Sequence, residues 1–143
     1  MVGDKLLFVD SNYFVALFNP ADSLARQAEK IAKHLDAADI RLVTSNLVFL
    51  EVVTVLAQRR SRAVAVEVGA YLLSHVNIVH VDESSHQDAW SIFQIVPSKN
   101  VSFVDCSILA ILRAENIHSL LTFDITDFHK FRKQFRFEIF GEA

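Results

Sequence analysis

Short apolar runs of strand length alternate with longer stretches of helical periodicity along the whole chain. That alternation limits the fold more than any other feature. Leu6–Asp10, Arg41–Thr44, Val76–Val81 and Ser119–Thr122 have the length and the apolar or β-branched character of buried strands. Asn12–Phe18, Ser23–Asp36, Asn46–Arg59, Arg62–Ser74, Ser84–Phe93, Phe103–Glu115 and Thr126–Phe131 read as helices. Arg136–Phe140 alternates like an edge strand. Strands separated by helices need crossover connections, so they pair in parallel and are covered on both faces. The expected fold is α/β: a mostly parallel five-stranded sheet flanked by helices on both faces. A chain of 143 residues suits one core, so the expectation is one domain over residues 1–143. With three glycines and two prolines there is little room for flexible linkers.

Four acidic residues stand where an acid is awkward. Asp10 ends the run Leu6-Leu7-Phe8-Val9, and Glu51 interrupts Val48-Phe49-Leu50 and Val52-Val53. Asp105 sits between Phe103-Val104 and Cys106-Ser107-Ile108, and Asp124 ends Leu120-Leu121-Thr122-Phe123. An ionised carboxylate beside a core needs a partner, since burying it unpaired costs several kcal/mol or more. Few basic residues lie nearby in the sequence. In open parallel sheets, ligands bind beyond the carboxyl ends of the strands, where the strand order switches. Asp10 and Asp124 follow predicted strands, Asp105 lies in the first turn of its helix, and Glu51 lies inside the helix after Arg41–Thr44. All four can therefore converge on one sheet edge.

Each acid also has a simpler explanation. Asp10 and Asp124 could cap the helices that follow them, and Ser102-x-x-Asp105 resembles a capping box. Glu51 has no such explanation. Its helix is apolar almost all round, so it should be deeply buried. Val55 and Leu47, four residues to either side, offer no salt bridge. Asp127 is either a fifth acid at the rim or a helix-start residue. Ser11 and Asn12 either support the site or cap the first helix.

The composition closes off several classes. No run approaches the ~18–20 apolar residues of a membrane span. Met1-Val2-Gly3-Asp4-Lys5-Leu6 lacks the basic start and apolar stretch of a signal peptide. A single cysteine, Cys106, excludes an internal disulfide and fits a reducing compartment. With no basic neighbour, that thiol reads as a small buried helix residue. The expected location is the cytoplasm. Hydrophobic residues make up 52% of the chain, so much of it must be buried in its own core or against a partner. The net charge of −3 argues against a bulk electrostatic grip on nucleic acid. Local basic clusters remain at Arg59, Arg60 and Arg62, and at Lys130, Arg132, Lys133 and Arg136; both also fit a solvated face. The six histidines show no zinc spacing. No G-x-S-x-G, P-loop or G-x-G-x-x-G motif occurs.

Oxygen-only ligation selects a hard cation, Mg²⁺ or Mn²⁺. Such an ion would neutralise the acids, polarise a phosphoryl oxygen and help activate water. Phosphodiester hydrolysis by in-line attack fits that chemistry.

Four segments in order resemble the PIN-domain family, and more narrowly its VapC-type toxins. They are Phe8-Val9-Asp10-Ser11-Asn12, Asn46–Val53, Ser102–Ala110 and Leu120–Phe128. The resemblance implies a five-stranded parallel sheet, a Mg²⁺ or Mn²⁺ site and endoribonuclease activity on RNA. It implies that Asp10, Asp105 and Asp124 bind metal and that Glu51 binds metal or orients the attacking water. Ser11 or Asn12 would support the site. It further implies the toxin role of a type II toxin–antitoxin pair, an antitoxin partner and a homodimer. The alternatives are a PIN nuclease that processes RNA without being a toxin, and a catalytically silent PIN-like binding module. A response-regulator receiver fits less well, because Asp10 has no paired acid and no lysine follows a late strand in a matching place.

Overall fold

The computed structural model describes residues 5–141. The segment Met1–Asp4, read above for targeting signals, lies outside them. In chain order the elements are β1 (Lys5–Val9), α1 (Ser11–Phe18), α2 (Ala25–Ala37), β2 (Ile40–Ser45), α3 (Asn46–Arg59), α4 (Arg62–His75) and β3 (Asn77–Val79). There follow α5 (Glu83–Ile95), α6 (Phe103–Ala114), β4 (Ser119–Leu121), α7 (Ile125–His129), α8 (Arg132–Phe135) and β5 (Glu138–Ile139). The strands form one sheet in the order β3-β2-β1-β4-β5, with every pairing parallel. The fold class read from the sequence is the one observed.

Crossovers between parallel strands are right-handed. The steps β1→β2→β3 run toward one side of the sheet, and β3→β4→β5 run toward the other. Helices α1–α4 therefore cover one face and α5–α8 the other. The packing agrees: α1 meets α2 and α3, α3 meets α4, α5 meets α6, and α6 meets α8. The strand order reverses between β1, the central strand, and its neighbour β4. The core fills both sides of β1, where Leu7, Phe8 and Val9 are buried.

Side-chain caps set where several helices begin. Ser45 accepts from the Val48 N–H at 3.1 Å, Ser61 from Val64 at 3.1 Å and Asp82 from Ser85 at 2.9 Å. Two short strands are shorter than the sequence suggests. Val76–Val81 contracts to Asn77–Val79, because the Val81 N–H turns to the side chain of Asn46 instead of a strand partner. Arg136–Phe140 contracts to Glu138–Ile139, because Arg136 adopts a left-handed φ of 56°. The helix after β4 is also broken in two, α7 and α8, where one short helix was expected.

One expectation fails. Helix α3 is not deeply buried all round. It buries a single stripe, Val48, Val52 and Leu56, while Leu50 is 59% exposed. It lies in an outer hairpin with α4, so only one side meets the sheet. Its far side lines an open apolar trough of about 680 Å³ with Phe49 and Val53 facing Ala65, Gly69 and Leu73 of α4. Gly69 lets the helices approach: a Cβ there would sit 3.3 Å from a Val53 methyl and 3.4 Å from the Phe49 ring.

Candidate metal centre

Asp10 follows the last residue of β1, at the carboxyl edge of the sheet where the strand order reverses. It is 3% exposed, and its backbone N–H continues the sheet by donating to the Leu121 carbonyl at 2.9 Å. Its side chain accepts from the Ser11 N–H at 2.7 Å and so caps α1. The other carboxylate oxygen accepts from the Thr122 hydroxyl at 2.8 Å. Burial pushes this carboxyl up to about 7. The Thr122 and Ser11 hydrogen bonds pull the other way, while the Asp105 and Asp124 charges add to the rise.

Asp105 lies in the first turn of α6 and closes a capping box with Ser102. Its carboxylate accepts from the Ser102 N–H at 2.9 Å, and the Ser102 hydroxyl accepts from the Asp105 N–H at 3.1 Å. Burial raises its pKa, the Ser102 bonds oppose that, and the charges of Asp124 and Glu51 add to it. Asp124 occupies the position before α7, yet its side chain makes no capping bond. Burial and the Asp127 charge raise its pKa against a hydrogen bond from Asn12.

One carboxylate oxygen from each of Asp10, Asp105 and Asp124 lies within 4.8 Å of the others. The main influences on these three carboxyls are burial, neighbouring acids and neutral hydrogen-bond donors. Three carboxylates this close without a cation repel one another. Their donor set is all oxygen and the right size for one hard divalent ion. The residues therefore fit a metal.

Glu51 is half-buried rather than enclosed. It lies beside the triad, near enough for its charge to act on Asp105, and it accepts a short hydrogen bond from the Ser11 hydroxyl. Asn12 braces the opposite side: its carbonyl oxygen accepts from the Phe123 N–H at 3.0 Å. Asp127 stands at the rim, lining a small cleft together with Asp105, Phe128 and Phe131. Cys106 is buried inside α6, and burial pushes its thiol up to about 11, so it is inert.

Sequence reasoning missed Thr122. Its buried hydroxyl donates to Asp10, accepts from the Asp124 N–H at 3.0 Å and lies 3.4 Å from the Asn12 amide nitrogen. It ties the strand end of β4 to that of β1. A threonine two residues before an aspartate can turn the backbone in this way. That weak signal was present, but a β-branched residue closing a strand attracts no notice.

The PIN domain profile matches residues 7–134. The chain is 34% identical over 121 residues to the 23S rRNA-specific endonuclease VapC20 of Mycobacterium tuberculosis, covering 83% of this chain and 89% of that protein. The crystal structure of M. tuberculosis VapC20, described as a sarcin–ricin loop cleaving toxin, superposes with a TM-score of 0.77 at 28% identity, over 87% of this chain and 93% of that one. A toxin–antitoxin complex from Klebsiella pneumoniae shares the fold at a TM-score of 0.62 and 20% identity, covering 85% of this chain and 89% of that one.

Proposed function

This chain belongs to the PIN-domain family, and from that premise we propose that it is a Mg²⁺- or Mn²⁺-dependent endoribonuclease. The observation that carries the reading is the convergence of Asp10, Asp105 and Asp124 within 4.8 Å at the carboxyl edge of β1 and β4. These three carboxylates would hold the ion. Bound there, it would supply charge neutralisation, polarisation of a phosphoryl oxygen and activation of water.

The remaining roles belong to the chain's own residues. Ser11 holds one oxygen of Glu51, leaving the other to orient the attacking water. Thr122 fixes the rotamer of Asp10, and Asn12 restrains the segment that carries Asp124. Asp127 extends the acidic rim. Ser11 serves twice, because its backbone N–H meets Asp10 while its hydroxyl meets Glu51.

The likeness to VapC20, a cleaving toxin, and to a toxin–antitoxin complex supports a toxin role of the type II kind with an antitoxin partner; a homodimer acting in the cytoplasm completes the reading. Among the described residues, no helix is long and apolar enough to cross a membrane. The first RNA to try is 23S rRNA. Incubation with Mg²⁺ or Mn²⁺ should give discrete cleavage that excess EDTA abolishes and that Asp10→Asn eliminates. Robust cleavage in excess EDTA would overturn the metal-dependent reading. Analytical ultracentrifugation tests the homodimer, and co-purification with the product of an adjacent small gene tests the antitoxin.

A further inference from the structure

Ten residues near the carboxyl end, 128–137, carry Lys130, Arg132, Lys133 and Arg136 and no acid, in a chain whose net charge is −3. They directly follow Asp124 and Asp127. Asp124 is the residue before α7, and six residues at ~1.5 Å rise each separate it from Lys130, a span of ~9 Å if the helical path continues. The backbone does nearly continue. Lys130 keeps right-handed helical angles, and the Phe131 and Phe135 N–H groups find partners in Phe128 and Phe131.

The limb is fixed from inside by aromatic rings. Phe128 and Phe135 are buried, Phe131 packs edge-on against Phe135, and the Arg113 guanidinium lies 4.8 Å from the Phe135 ring centre. Phe131 and Phe128 also share the small cleft that Asp105 and Asp127 line, so this limb abuts the acid cluster. Anchoring of that face leaves Lys130 and Lys133 exposed on the outside. Arg132 is partly occupied by Glu138 at 3.8 Å and by His129. Lys130 and Lys133 form no ion pair with any described residue.

We infer that Lys130 and Lys133 bind backbone phosphates of the RNA strand on the Asp124 side of the scissile bond. The inference rests on the ribonuclease reading and deepens it. An acid cluster repels a polyanion, so the strand needs cationic contacts just beyond the acids to be drawn across them. This limb is a rigid cationic surface that adjoins the cluster in the chain and in space. The second basic group, Arg59, Arg60 and Arg62, lies at the far end of α3, where Arg60 bonds the Phe18 carbonyl.

The test measures binding of a fluorescent single-stranded RNA to Asp10→Asn protein over a salt series, with and without Lys130→Ala/Lys133→Ala. The double substitution should weaken binding several-fold or more. It should also reduce the slope of log affinity against log salt by about 1.4, at ~0.7 per phosphate contact. Lys130→Arg/Lys133→Arg should restore both. Arg26→Ala/Lys30→Ala, on the exposed face of α2, removes the same charge and should leave the slope unaltered. In the active protein, the alanine pair should raise KM more than it lowers kcat. An unchanged slope and KM, or an equal loss in the α2 control, would overturn the inference while leaving the ribonuclease reading intact. If the unsubstituted protein cleaves no RNA with either ion, both fall together.

Discussion

The acid cluster and the apolar trough are two regions of opposite character, and α3 takes part in both. Toward the cluster it presents Glu51; toward the trough it presents Phe49 and Val53. The acid cluster is densely bonded, with Ser11, Asn12, Ser102 and Thr122 each committed to a partner. The trough has almost no polar partners, and Leu50, Val66 and Leu73 at its flanks are 59%, 64% and 65% exposed. A site built for chemistry restrains its groups at a cost to stability. A surface left apolar restrains nothing and contributes little to the isolated fold. Substitutions in the two regions should therefore behave in opposite ways.

The largest effect should come from Asp10→Asn. Cleavage should fall by on the order of 10²–10³-fold or more, as when a preorganised electrostatic group is removed. The metal-free variant should melt at the same temperature as the parent or higher, because a buried, crowded acid has become neutral. A lower melting temperature in EDTA would mean that Asp10 is a structural residue instead.

Next in size is Thr122→Val, which keeps shape and removes the hydroxyl. It leaves one Asp10 oxygen without its donor and the Asp124 N–H without its acceptor. Stability should fall by roughly 1–3 kcal/mol, and Mn²⁺ affinity should fall with it. Calorimetry with and without Mn²⁺ measures both.

The pH response should change sign with metal. The folded pKa of Asp10, about 7, lies above its ordinary value of 3.8. The folded metal-free protein therefore binds more protons than the unfolded chain between those values. Stability from this group is fully present below about pH 4 and is lost as pH rises through 7. With Mn²⁺ bound, the acid must be deprotonated, so stability should rise over the same interval. Melting curves from pH 4 to 8 in EDTA and in Mn²⁺ that run parallel would refute this.

The smallest effects belong to the trough. Leu73→Lys and Val66→Glu should change monomer stability by no more than about 0.5 kcal/mol and leave cleavage unaltered. A large loss of cleavage would show that the acid cluster and the trough are energetically coupled.

Sequence reasoning reached the sheet because strand-length apolar runs and helical periods differ in spacing, and parallel pairing follows from the crossovers. It singled out Asp10, Glu51, Asp105 and Asp124 because acids amid apolar residues are conspicuous. Capping and clustering also proved compatible: Asp10 and Asp105 cap helices with the same carboxylates that enter the cluster. The burial of α3 was misjudged because hydropathy does not say whether an apolar face meets the core or an open trough. Thr122 was overlooked because its role depends on a contact across 112 positions, which no local pattern contains.

That contact has a consequence for biosynthesis. Asp10 emerges from the ribosome 112 residues before Thr122, and Asp124 follows later still. β1 is also the central strand, and it waits for β4 before it has both neighbours. The nascent protein therefore cannot assemble its acid cluster until Asp124 has been made. The centre is completed only by its last-made member, however early its first appears.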